Sequence, residues 1–190
     1  MRSLESIYNS ILLENQNPNN IDLELLKVCS TGNYTINDDG SIDVNDSVYL
    51  NKKKLKQIPY KFRNVSVDFY CIRSSLKSLE GAPTTVGGSF NCRDNQLKSL
   101  EGAPTTVGGS FNCRNNQLKS LEGAPTTVGG SFYCFNNHNL PYSELFKIVD
   151  NVKGDIYYSS STIPEDKDKI RRDRDIKDVL KDDELGNLDV

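Results

Sequence analysis

The chain has 190 residues, of which 36% are hydrophobic, and a net charge of −3 from 23 basic and 26 acidic side chains. That is enough for one thin core, and neither a strong charge excess nor any apolar run near the roughly 18 residues of a membrane span argues for nucleic acid or lipid as the default partner. Glu5 and Asn9 interrupt any apolar leader after Met1, so a cytoplasmic location is expected.

Residues 1–30 read as a helical cover. Leu4, Ile7, Tyr8, Ile11 and Leu12 recur at spacings of three and four, an Asn-rich stretch from Asn15 to Asn20 interrupts, and Ile21 to Cys29 continues as a second amphipathic segment. Tyr34-Thr35-Ile36 and Ser41-Ile42-Asp43-Val44 flank Asn37-Asp38-Asp39-Gly40, the pattern of a hairpin that leads into the first coil.

From Leu76 onward the chain repeats a 21-residue sentence three times, starting at Leu76, Leu97 and Leu118. A fixed period of this length, with apolar positions in phase, is the signature of a solenoid whose stacked coils bury one continuous core. In Ser89-Phe90-Asn91-Cys92-Arg93, Phe90 and Cys92 alternate with polar neighbours, the period of two that a half-buried strand requires. Asn95, Asn116 and Asn137 come three residues after the cysteine, where buried amides can bond the main chain of their own and adjacent coils. Leu97 and Leu100 fold back inward. Gly81-Ala82-Pro83 and Gly87-Gly88 are expected to reverse the chain on the far side, which shows no helical period.

The pattern Phe90-x-Cys92-x-x-Asn95-x-Leu97-x-x-Leu100 resembles the core of leucine-rich repeats, and its short length is similar to the bacterial class found in secreted effectors. The wording Ser-Leu-Glu-Gly-Ala-Pro-x-x-Val-Gly-Gly-x-Phe-x-Cys-x-x-Asn resembles the leucine-rich-like repeat proteins of large tailed bacteriophages. Val86 lies four residues before Phe90, where that family has an apolar residue three before, so a bulge is expected there. Together with the spacings at either end, this resemblance makes the expected fold α+β: a leucine-rich-repeat-like solenoid with one short parallel strand per coil, a helical N-terminal cap and a short helix near the C-terminal end. Degenerate coils in the same phase place Leu55, Ile58, Val65, Phe69 and Cys71, and before them Val48 and Leu50, on the inward columns. Val152 to Tyr158 copies Val128 to Cys134 at a spacing of 24, so an insertion within Pro141 to Asp150 is expected to hold a helix capped by Ser143. The solenoid then spans residues 31–160 with about six coils.

Residues 161–190 carry ten acidic and seven basic side chains, leaving 16 of each sign elsewhere. Ile170, Ile176, Val179 and Leu180 give this tail a partial helical stripe, compatible with a capping helix or a tethered arm.

Cys71, Cys92, Cys113 and Cys134 fall 21 apart and read as small buried hydrophobes, because metal sites need paired ligands at short spacing; no metal and no cofactor is expected. The single histidine, His138, has no nucleophile or carboxylate pair beside it, so an enzyme is not expected. The candidate site is the outward strand face: Tyr70, Ile72, Asn91, Arg93, Asn112, Arg114, Tyr133, Phe135 and Tyr157, a mixture of aromatics and arginines suited to protein interfaces. The third clean repeat differs from the others at Tyr133, Phe135 and His138, and the first two differ only at Asp94 against Asn115. The expected function is a monomeric, non-catalytic protein-binding solenoid. The phage resemblance implies an inhibitor or adaptor acting on a host protein, such as a defence component, in the host cytoplasm. The alternatives are a self-associating scaffold and a nucleic-acid-binding protein using Lys52, Lys53, Lys54, Lys56, Lys61 and Arg63 together with Arg73, Arg93 and Arg114.

Overall fold

The computed structural model describes residues 30, 33–51, 55, 57–159 and 165–186, with side chains of the last segment described through Asp178. The helices expected within residues 1–30 lie outside the described residues, as do Cys29 and Lys52, Lys53, Lys54 and Lys56.

The chain opens with the expected hairpin: β1 (Tyr34–Ile36) pairs antiparallel with β2 (Ile42–Val44), Tyr34 opposite Val44 and Ile36 opposite Ile42. It then winds through β3 (Val48–Tyr49), β4 (Phe62–Val65), β5 (Phe69–Tyr70), β6 (Thr85–Val86), β7 (Phe90–Asn91), β8 (Thr106–Val107), β9 (Phe111–Asn112), β10 (Thr127–Val128), β11 (Phe132–Tyr133) and β12 (Ile156–Tyr157). Two six-stranded sheets result: a first in the order β1-β2-β4-β6-β8-β10 and a second in the order β12-β11-β9-β7-β5-β3. Apart from the hairpin, every strand pair is parallel. The molecule is a β-solenoid of about five coils, each contributing one short strand to each sheet.

Each coil thus holds two strands where one was expected. Thr85-Val86 and its copies, on the far side where the chain was expected only to reverse, form the first sheet, with Val86 buried and Thr85 turned outward. The glycines after them do not reverse the chain through left-handed geometry. Positive φ occurs instead at Gly81, Gly102 and Gly123, at 88°, 83° and 79°. At the corner between the sheets the constraint is proximity: a Cβ on Gly108 would lie 2.1 Å from the Gly87 carbonyl oxygen. Stacked main chain occupies that space, and the ladder runs through the corner, with Gly108 N–H donating to Val86 O at 2.9 Å.

The core is a set of straight columns. Phe69, Phe90, Phe111 and Phe132 are fully buried and stacked, with centroids 5.4, 5.3 and 5.1 Å apart. Cys71, Cys92, Cys113 and Cys134 form the next column as buried free thiols. Asn95, Asn116 and Asn137 act as expected. Asn116 Oδ1 accepts from Leu97 N at 3.0 Å, while its Nδ2 donates to Cys92 O at 3.1 Å and Cys113 O at 3.0 Å, tying two coils together. Where Ser74 replaces asparagine, its hydroxyl donates to Leu50 O at 2.5 Å.

The insertion holds a 3-10 helix at Tyr142–Lys147, flanked by Pro141 with no side-chain cap, so Ser143 does not have the capping role expected of it. The charged tail forms helix α1 (Lys167–Gly186), which Asp166 Oδ1 caps by accepting from Asp168 N at 2.9 Å and Lys169 N at 3.1 Å. Its first turns close the solenoid. Ile170 is fully buried in the core, Glu165 N donates to Ile156 O at 2.7 Å, and Arg171 and Arg174 both pair with Asp150. Ile176, from the same expected stripe, is 59% exposed, so the stripe is not buried along its whole described length. No described helix is long and apolar enough to cross a membrane.

Candidate binding face

Pairing in the second sheet is in register, so side chains that alternate outward line up as columns along the solenoid. The central column runs Tyr49, Tyr70, Asn91, Asn112, Tyr133 and Tyr157. Aromatic pairs stand at both ends of it. Tyr49 and Tyr70 lie 5.4 Å apart, and Tyr133 and Tyr157 stack at 4.7 Å and 9°. Tyr49 is absent from the residues expected at the site, although the period is enough to find it, since it stands 21 residues before Tyr70 and between the inward Val48 and Leu50.

The column on one side is a capping ladder made by the residue before each strand. Ser89 Oγ accepts from Ser110 N at 3.2 Å, Ser110 Oγ from Ser131 N at 3.1 Å, and Ser131 Oγ from Asp155 N at 3.1 Å. Asp68 does the same for Ser89 N at 2.6 Å and also accepts from the Tyr70 hydroxyl at 2.9 Å. Partial burial, together with that carboxylate, pushes Tyr70 up to about 12, and burial with Asp155 raises Tyr157, so these phenols remain neutral donors at physiological pH.

The column on the other side holds Ile72, Arg93, Arg114 and Phe135. Ile72, Arg93 and Arg114 are half-buried, but Phe135 is only 7% exposed. Phe135 is thus not the exposed anchor that alternation suggested. β11 ends at Tyr133, Asn136 turns the chain at φ 58°, and the Arg114 guanidinium covers the ring at 5.2 Å from its centroid. The turn column beside it, Arg73, Asp94, Asn115 and Asn136, has left-handed φ between 54° and 58° throughout, which Asp and Asn tolerate better than other residues.

The basic strip considered for nucleic acid is not continuous among the described residues. Arg63 belongs to β4 of the first sheet and is bonded to Asp43, Lys61 pairs with Asp39 at 3.3 Å, and Arg93 and Arg114 flank the second sheet. The cysteine column offers little chemistry: burial pushes Cys71 up to about 12 and raises Cys92, Cys113 and Cys134 as well, and the Cys92 Sγ donates to Asn112 O at 3.5 Å. His138 is exposed. Among the described residues no group of three His, Cys, Asp or Glu side chains could hold a metal ion.

No protein-family model matches the chain, and no curated protein or solved structure matches it significantly.

Proposed function

We propose that this chain is a non-catalytic binding module that holds a protein partner against the outward face of its second sheet. The observation that carries the reading is the central column: paired tyrosines at both ends, two asparagines between them and two half-buried arginines alongside, on strands locked in register. Tyrosine and arginine are enriched at the hot spots of protein interfaces, tyrosine bringing a large rigid ring with a hydroxyl and arginine a planar fork of donors. A rigid face of this kind costs little conformational entropy to dock.

The resemblance of the repeats to those of tailed-phage proteins supports the sharper version, a monomeric inhibitor or adaptor that binds a host protein, such as a defence component, stoichiometrically. The test is affinity capture from bacterial lysate with the full chain and with a variant in which Tyr70, Arg93, Arg114 and Tyr133 are all alanine, after circular dichroism shows that the variant is folded. One stoichiometric partner, lost with the variant, is expected. Capture that survives the substitutions would move the site to the first sheet or to α1. Light scattering separates the scaffold reading, which requires oligomers where this one expects a monomer.

A further inference from the structure

We propose that the middle of this face is a carboxylate site, in which Arg93, Arg114 and the Asn91 and Asn112 amides take an acidic helical segment of the partner. The inference rests on the docking reading above and names the chemistry of what docks.

Four observations point to donors in the middle of the face that the described residues leave without a matching acceptor. Asn91 Oδ1 accepts from Arg93 N, and Asn112 Oδ1 from Arg114 N, each at 3.3 Å. A backbone N–H can only donate, so each amide oxygen faces the chain and each Nδ2 is presented outward, with no partner among the described residues. Arg93 Nε is buried without a hydrogen-bond partner, its nearest carboxylate being Asp94 Oδ2 at 3.8 Å. An Nε closed off in this way is not reached by a ligand, so a bound acceptor would meet Arg93 through its terminal Nη groups, which have no hydrogen-bond partner among the described residues. One coil further on, Asn115 stands where the previous coil has Asp94. That single difference leaves Arg114 with no ion pair among the described residues, only its stack on Phe135. A guanidinium stacked on an aromatic ring still has its edge donors available for a carboxylate.

The geometry also selects between anions. Adjacent rungs are about 4.7–4.9 Å apart, near the 5–6 Å that separates side chains at i and i+4 on a helix, so two neighbouring carboxylates of one helix can meet the two arginines together. Asp68 and Asp155 bracket the donors at either end of the face, and Asp94, in the turn column to one side, is already taken up by Arg73 and the Asn115 amide. A nucleic acid, with phosphates repeating along its whole length, would run past those carboxylates, whereas a short acidic segment fits between them.

The test is a nitrogen–proton NMR titration of the full chain with an alanine-based peptide of about 20 residues, long enough to be helical, carrying Glu at i and i+4. Parallel titrations use the same peptide with Gln at both positions and a single-stranded oligodeoxynucleotide. The Glu peptide is expected to shift the Arg93 and Arg114 Nε–H and the Asn91 and Asn112 amide signals and to bind at least tenfold more tightly than the Gln peptide. R93Q/R114Q should lose that preference, R114K should lose part of it, and K98Q/K119Q, which removes equal charge from exposed amines elsewhere on the coil, should keep it. Equal binding of the Glu and Gln peptides, no binding even at low salt, tighter binding of the oligonucleotide, or equal loss in K98Q/K119Q would overturn the proposal. A partner that still docks on the sheet while the peptide fails would reject the carboxylate site and leave the docking reading intact.

Discussion

Asn116→Ala removes more than its small side chain suggests. The amide sits 7% exposed between two coils, accepting from Leu97 N and donating to Cys92 O and Cys113 O. An ordinary hydrogen bond contributes about 1 kcal/mol net, and a buried donor left unmatched costs about 1–3 kcal/mol, so losing these bonds and stranding the Leu97 N–H should destabilise by about 3–5 kcal/mol. Against a typical total of about 5–15 kcal/mol that is a severe loss for an apolar substitution. Asn116→Ser should fall between wild type and alanine, because Ser74 shows that a hydroxyl in this column reaches a carbonyl of the preceding coil. The neighbouring Asn115 is exposed at φ 54°, so Asn115→Gly should change stability by less than about 0.5 kcal/mol. Urea unfolding followed by both circular dichroism and tyrosine fluorescence measures the three variants, and coincident curves license a two-state reading. If Asn116→Ala costs under about 1 kcal/mol, or no more than Asn115→Gly, the amide column does not hold the coils together as argued.

The same geometry leads to three further expected outcomes. Gly108→Ala should destabilise by at least about 2 kcal/mol in thermal or urea unfolding, because its Cβ would lie 2.1 Å from the Gly87 carbonyl oxygen and main chain must move to admit it; a neutral result would show that the coils have room at the corner. In a Cys29→Ser background, the four cysteines at 71, 92, 113 and 134 should stay unreactive toward a disulfide reagent until denaturant is added, since burial raises all four thiols; rapid reaction of any of them in the native state would contradict the packed column. Ser41 and Lys61 hold Asp39 at about 2, below its ordinary 3.8, so its contribution is present above about pH 4 and is lost as pH falls toward 2. Stability of the wild type should therefore drop more across that interval than that of Asp39→Asn, and parallel acid limbs would show that the hairpin turn adds nothing.

Strict periodicity made much of this fold legible. The inward Phe and Cys columns, the bridging asparagines and the lead-in hairpin all derive from residues recurring 21 apart with fixed polarity, or from the turn residues between two short apolar runs. The first sheet was obscured by Gly87-Gly88, which read as turn glycines, although the β-branched Thr84-Thr85-Val86 run carried a strand signal. Phe135 was misplaced because alternation does not continue past the end of β11, and no local pattern announces that Asn136 turns the chain. The tail's stripe suggested a longer docked apolar face, but Ile176 is exposed, and beyond Ile170 the helix meets the 3-10 segment through Asp173 on the Tyr142 hydroxyl and Lys177 over the Phe146 ring. At the candidate site, Asp94 against Asn115 has the look of neutral drift between duplicated coils. Its consequence, one arginine beside a carboxylate and the next without one, depends on a turn geometry that a single sequence does not display.

The central claim, that the second sheet's outward face is where this protein engages its partner, can be tested inside one coil. A photoreactive residue placed at Asn112, in the middle of that face, and separately at Thr106, in the first sheet of the same coil, samples both faces at the same height of the stack. Irradiation in bacterial lysate is expected to yield one cross-linked partner from position 112 and none from 106. Cross-linking from 106 alone, or equally from both, would contradict the account.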